Sequence, residues 1–157
     1  MDITKKLIKF NYSSRVGIKI KYIVIHDTGN PRKGSGANNH YIYFNGGNRN
    51  ASAHYFVDDI EIIQTVEDAN SAWHCGDGKG IYGITNRNSI GIEICINEDS
   101  NFEIAKDKTI ELIRHLMDKH SIQKENVVRH YDVSRKVCPK SMSDNGWREW
   151  TQFYDLI

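Results

Sequence analysis

The stretch KYIVIHDTGNP, residues 21–31, decides how the rest of the chain is read. Five residues, Tyr22 to His26, alternate two apolar faces, and Gly29, Asn30 and Pro31 then mark a turn. In a strand, Tyr22, Val24 and His26 share one face and Ile23 and Ile25 the other. Both faces are apolar until His26. The stretch therefore predicts a central strand of a sheet covered on both sides, with a titratable side chain at its carboxyl end. Open α/β sheets place ligands beyond those strand ends. A satisfied structural histidine is the bland alternative.

Outward from this strand, NSIGIEICIN (88–97) alternates with Ile90, Ile92, Ile94 and Ile96 on one face and Gly91, Glu93 and Cys95 on the other. SAHYFVDD (52–59) and IEIIQTV (60–66) predict a hairpin around Asp58 and Asp59, with His54 inside a strand as a hydrogen-bonded core residue or a site residue. GSGANNHYIYFNGG (34–47) predicts a short helix stopped at Gly46 and Gly47. Ile110, Ile113, Leu116 and Met117 recur at helical spacing within 104–120, where His115 and His120 read as structural or solvent-facing. ANSAWHCGDGKGIYG (69–83) reads as a loop, NVVRHYD (126–132) as a short strand entering another loop, and DNGWREWTQFYDLI (144–157) as a final helix. The fold class is α/β, a central mixed sheet flanked by helices.

Composition sets limits. A chain of 157 residues with 39% apolar content is long enough for a packed core and predicts one domain over 1–157. With 21 basic and 20 acidic residues, the net charge of +1 argues against nucleic acid as the main partner. No apolar run reaches the roughly 20 residues of a membrane span, and no secretory signal is visible. The three cysteines, Cys75, Cys95 and Cys138, are an odd number and predict free thiols in a reducing compartment.

RHYDVSRKVCPK (129–140) sets His130 eight positions before Cys138, with Lys136 between them. Two ligands of one metal, a cysteine–histidine catalytic pair and core residues near a turn all remain open. With His26 the pair supplies the three protein ligands of an open zinc site. Metal-assisted hydrolysis also needs a proton-handling carboxylate. Glu93 fits, because its own strand face holds only Gly91 and Cys95 and leaves room beside it; a glutamate on the solvent face of an edge strand is the alternative. Lys136 could stabilise charge on a carbonyl oxygen or be a solvated loop residue.

YIVIHDTGN, SAHYFVDD, AWHCG, NSIGIEIC and RHYDVSRKVCP stand in the order seen in zinc-dependent N-acetylmuramoyl-L-alanine amidases, and residues 21–139 resemble that family. The family includes phage endolysins, bacterial autolysins and peptidoglycan-recognition proteins. The resemblance implies one zinc ion on His26, His130 and Cys138, Glu93 as catalytic carboxylate, Lys136 as its partner, and Trp73 and His74 as substrate contacts beside a groove. Ala53 stands where some phage members carry a tyrosine, so no tyrosine role transfers, and Cys75 takes no role. The implied substrate is bacterial peptidoglycan, cut between the lactyl group of N-acetylmuramic acid and L-alanine. The expected setting is a phage or prophage endolysin, taken as a monomer, held in the host cytoplasm until released to the wall. No wall-binding repeat precedes Ile157, so the chain is expected to be a catalytic domain alone or the N-terminal part of a longer protein. A non-cleaving binding module and a thiol hydrolase using Cys138 with His130 are the rivals.

Overall fold

A computed structural model describes residues 1–157. Its strands are β1 (Ile3–Lys5), β2 (Tyr12–Ser14), β3 (Tyr22–Asp27), β4 (Tyr55–Val57), β5 (Ile62–Gln64), β6 (Asn70–Ala72), β7 (Ser89–Ile94) and β8 (Val127–Arg129). Its helices are α1 (Ala37–Asn45), α2 (Phe102–His120), α3 (His130–Ser134) and α4 (Asp144–Asp155). Six strands form one sheet in the order β1-β5-β4-β7-β3-β8, and β2 and β6 form a separate antiparallel ribbon. Only the β4–β5 hairpin is antiparallel within the large sheet, so the sheet is mixed, as expected.

The 21–31 stretch is an interior strand, flanked by β7 and β8. Its two faces divide as their alternation predicts. Ile23 and Ile25 join Ile90, Ile92 and Ile94 in the main core, which α2 covers with Leu112, Ile113 and Leu116 and α4 with Trp150 and Phe153. Val24, on the other face, packs with Cys75, Ile84 and Val133. Burying such aliphatic side chains contributes roughly 1.5–3 kcal/mol each, an upper range because the unfolded chain is already partly compact. α2 is anchored at its start by Asn101, whose side chain accepts the Glu103 and Ile104 N–H groups.

Three segments differ from their sequence reading. The 69–83 region is not all loop: β6 pairs with β2, and a 3-10 turn follows at Gly76–Gly78. The segment after β8 begins as the short helix α3, with Asp132 accepting the Arg129 N–H at 3.0 Å and its guanidinium at 2.9 and 2.7 Å. A helix of five residues has no intrinsic stability. Charge pairing at its start and burial of Val133 hold it, and neither is visible in local sequence. The N-terminal residues also add β1 to the sheet edge, which their charged sequence did not suggest. β7 ends at Ile94, so Cys95 and Ile96 lie just past the strand.

Candidate metal centre and groove

β3, β7 and β8 run parallel and deliver their carboxyl ends to one place. The register pairs His26 with Glu93 across neighbouring strands, and His130 follows directly after β8. β7 has neighbours on both sides, β4 and β3, so Glu93 does not lie on an edge strand. Cys138 returns to the same point: its Sγ is 3.8 Å from His26 Nδ1. His26, His130 and Cys138 are all buried, and one donor atom from each falls within 4.8 Å of the others. The sequence separates His26 from the other two by more than a hundred positions; the parallel register and the α3 turn unite them.

The polar partners of this cluster are specific. His26 Nε2 bonds His74 Nδ1 at 3.0 Å, and His74 Nε2 bonds Ser89 Oγ at 3.1 Å. His130 Nε2 bonds Asp77 Oδ1 at 2.8 Å, while Ser134 Oγ donates to Asp77 Oδ2 at 2.9 Å. His130 Nδ1 is sealed from solvent and has no hydrogen-bond partner. Burial first, then the neighbouring charges of His130 and Lys136, hold the His26 pKa well below its ordinary value. Burial also lowers that of His130, against the pull of Asp77. Neutral imidazoles with free nitrogens beside a buried thiol are the donor set that zinc and similar borderline-soft metals take. The orphaned His130 Nδ1 fits such a group and has no other use in the fold.

Burial and then Glu93 push the Cys138 thiol up to about 12. A thiol so placed carries almost no thiolate near neutrality, which disfavours it as a nucleophile acting alone. His130 is not its base either, because Asp77 occupies one nitrogen and His26 is the imidazole that faces the sulfur.

Glu93 is half-buried, with its Oε2 sealed and unpartnered. Burial raises its pKa to about 8, with a further push from Asp27 and an opposing pull from Lys136. The space beside Gly91, on the same face, is filled: a Cβ there would stand 2.5 Å from His74 Cγ. Room for a substrate lies elsewhere, in a cavity of about 300 Å³ that Glu93 lines with Thr28, Asn39, His40 and Phe44. A second hollow lies against His130, Trp73, His74, Asp77 and the exposed Lys136. One hollow reaches Glu93 and the other reaches His130.

The structure thus brings together His26, His130, Cys138 and Glu93, with Lys136 and Trp73 on the adjoining wall. His74 also borders the groove, but both of its ring nitrogens are engaged inside the protein. His54 is a core residue, fully buried, receiving the Gly91 N–H at 3.0 Å and lying 2.8 Å from Arg15 Nη2. His120 pairs with Asp68 at 2.9 Å, a structural role. Cys75 is an apolar core side chain. Asp77, Ser89 and Asp27 were not singled out in the sequence. Asp77 sits in a glycine-rich segment that gave no periodic signal, although a lone carboxylate there is a recoverable cue.

A family profile described as N-acetylmuramoyl-L-alanine amidase matches residues 16–141. The chain is 38% identical over 159 residues to the N-acetylmuramoyl-L-alanine amidase CwlH of Bacillus subtilis strain 168, covering 100% of this chain and 61% of that protein. It is 37% identical to the amidase XlyA of the same organism, over 98% of this chain and 50% of XlyA. It thus spans between half and two thirds of the length of these curated relatives. Among solved structures, the catalytic domain of XlyA superposes with a TM-score of 0.88 at 36% identity, covering 100% of this chain and 99% of that one. PlyL superposes with a TM-score of 0.83 at 35% identity, covering 99% and 96%.

Proposed function

This chain belongs to the N-acetylmuramoyl-L-alanine amidase family, and on that premise we propose that it hydrolyses the amide between the lactyl group of N-acetylmuramic acid and the L-alanine of the stem peptide in bacterial peptidoglycan. The observation that carries this reading is the convergence of three metal-ligating atoms at the strand ends beside Glu93, whose carboxyl has one sealed, unpartnered oxygen and lines a cavity. One zinc ion held by His26, His130 and Cys138 would have an open fourth position, polarise the scissile carbonyl and acidify an attacking water.

The chain's own groups supply the rest. Glu93, whose proton affinity lies near neutrality, takes the proton of the attacking water and returns it to the departing alanine nitrogen. Lys136 presents an exposed positive charge in the hollow that reaches His130, where it stabilises the oxyanion as the carbonyl carbon becomes tetrahedral. Trp73 offers an amphipathic surface to the substrate in the same hollow. Residues 1–157 act together as the catalytic domain, in the manner of an endolysin kept in the host cytoplasm until it is released to the wall. No helix is long and apolar enough to cross a membrane.

Digestion of purified peptidoglycan with and without a chelator, followed by mass analysis, tests this. New L-alanine amino termini that vanish with chelator and return with zinc are expected. New reducing sugar ends would refute the bond assignment. Activity that survives chelation but not thiol alkylation would favour the thiol reading. Zinc-dependent binding of wall fragments without cleavage would favour a binding module.

A further inference from the structure

The two histidines of the cluster present the same nitrogen. Each turns Nδ1 toward Cys138 or the sealed interior and gives Nε2 to an outer partner. A neutral imidazole carries one proton, so the outer partner decides which nitrogen keeps its lone pair.

On the His26 side the assignment runs back through three groups. Ser89 donates its only hydroxyl proton to the Thr85 carbonyl at 2.6 Å. Its oxygen can then only accept, so the contact at 3.1 Å is donated by His74 Nε2–H. No carboxylate bonds the His74 ring, so it carries the single proton that Ser89 accepts, and its Nδ1 is left as an acceptor. That nitrogen takes the Nε2–H of His26 at 3.0 Å, and His26 Nδ1 is left unprotonated 3.8 Å from Cys138 Sγ. The His74 ring packs directly on Gly91, so close that a Cβ there would not fit.

On the His130 side the chain is shorter. Asp77 accepts the Nε2–H at 2.8 Å and is itself steadied by Ser134. This leaves Nδ1 of His130 as a bare lone pair with no partner. Asp77 comes from the 3-10 turn at Gly76–Gly78, which this hydrogen bond ties to His130.

We propose that His74, braced by Ser89, and Asp77 are positioning residues that lock both histidines in the Nδ1-donating tautomer before any metal arrives. The proposal rests on the metal-site reading above. Its consequence is a preorganised site: no imidazole must rotate or exchange its proton when the ion enters. Outer partners of this kind typically change metal affinity by about tenfold to hundredfold when removed.

Two measurements test it. In the metal-free protein, long-range ¹H–¹⁵N spectra of the imidazoles should show Nδ1 unprotonated and Nε2 protonated for both His26 and His130. Zinc affinity should then be measured by competition with a chromophoric chelator for the wild type, His74→Ala, Ser89→Ala and Asp77→Ala. Each variant should lose about tenfold to hundredfold in affinity, at a concentration of denaturant where its metal-free form is still folded. Ser89→Ala removes only one oxygen, so it keeps the test informative where His74→Ala does not fold. A wild type that binds one zinc while all folded variants bind within twofold of it would overturn the proposal and leave the metal reading standing. So would a protonated Nδ1 on either histidine of the metal-free wild type. A wild type that takes up no zinc would overturn the metal reading itself.

Discussion

Replacing Glu93 with glutamine should make the metal-free protein more stable with rising pH, relative to the wild type. The side chain is half-buried with one oxygen sealed, and burial, with a further push from Asp27, raises its pKa from 4.5 to about 8 in the fold. A carboxyl with a raised folded pKa favours the folded state only while protonated. That contribution is complete below the unfolded value and is lost as pH rises through the folded one. The difference is about 3.5 units, which at 1.36 kcal/mol per unit sets a ceiling near 5 kcal/mol. Glutamine does not titrate, so its advantage over the wild type should grow by about 3–5 kcal/mol between pH 4.5 and pH 9. Its amide is as unpartnered as the carboxyl, which adds a roughly constant offset of about 1–3 kcal/mol. The slope of the difference, not its absolute value, therefore carries the information. Urea unfolding followed by circular dichroism, in the presence of a chelator, reads that slope. His26, His54 and His74 titrate in both proteins and cancel in the difference. Saturating zinc should narrow the gap, because a nearby dication favours the carboxylate. Two parallel pH curves, separated by less than 1 kcal/mol of change, would refute the buried-carboxyl argument.

Three further perturbations probe other parts of the molecule. Lys136→Ala should lower kcat on a soluble muramyl peptide by about tenfold to hundredfold with little change in KM, below the usual cost of a fixed oxyanion donor because this lysine is exposed to solvent; an unchanged kcat would remove it from the reaction. Gly91→Ala places a Cβ 2.5 Å from His74 Cγ, so the ring must shift, and zinc affinity measured by calorimetry should fall by about tenfold; unaltered affinity would mean the ring's position does not matter. Asp68 accepts from Tyr55, Gln64, Lys119 and His120; burial raises its pKa, but the bonds from Lys119, Tyr55 and His120 outweigh this and hold it at about 2. Its contribution is present above pH 3.8 and lost as pH falls through 2, so Asp68→Asn should cost about 2 kcal/mol at pH 7 and flatten the acid limb of the stability curve; an unchanged acid limb in urea titrations would count against this.

Much of the sheet was legible because strand alternation is a local property. The 21–31 and 88–97 stretches each state their two faces, and both faces are buried as their composition requires. The hairpin at Asp58 and Asp59 and the amphipathic α2 were equally direct. β2, β6 and α3 were not legible. They are short, they lack their own periodicity, and their backbone groups are satisfied by partners distant in sequence.

The candidate site divides along the same line. Residue chemistry by itself raised His26, Glu93, His130, Lys136 and Cys138 as candidates, each beside a structural alternative, and the resemblance of the ordered motifs to the amidase family assigned their roles. It could not say whether Glu93 faced solvent on an edge strand; strand order decided that, by giving β7 a neighbour on each side. Nor could it choose between a bound thiolate and a cysteine–histidine pair, since that depends on which nitrogen points where. Tertiary structure supplies that information: Nε2 of both histidines goes to other partners, and donor atoms of His26, His130 and Cys138 lie within 4.8 Å of one another, an arrangement that favours co-ligands. Asp77, Ser89 and the inner role of His74 belong wholly to the tertiary level. A hydrogen bond between residues 53 or 48 positions apart leaves no trace in local pattern; it exists only once parallel strands and a returning loop have closed the distance.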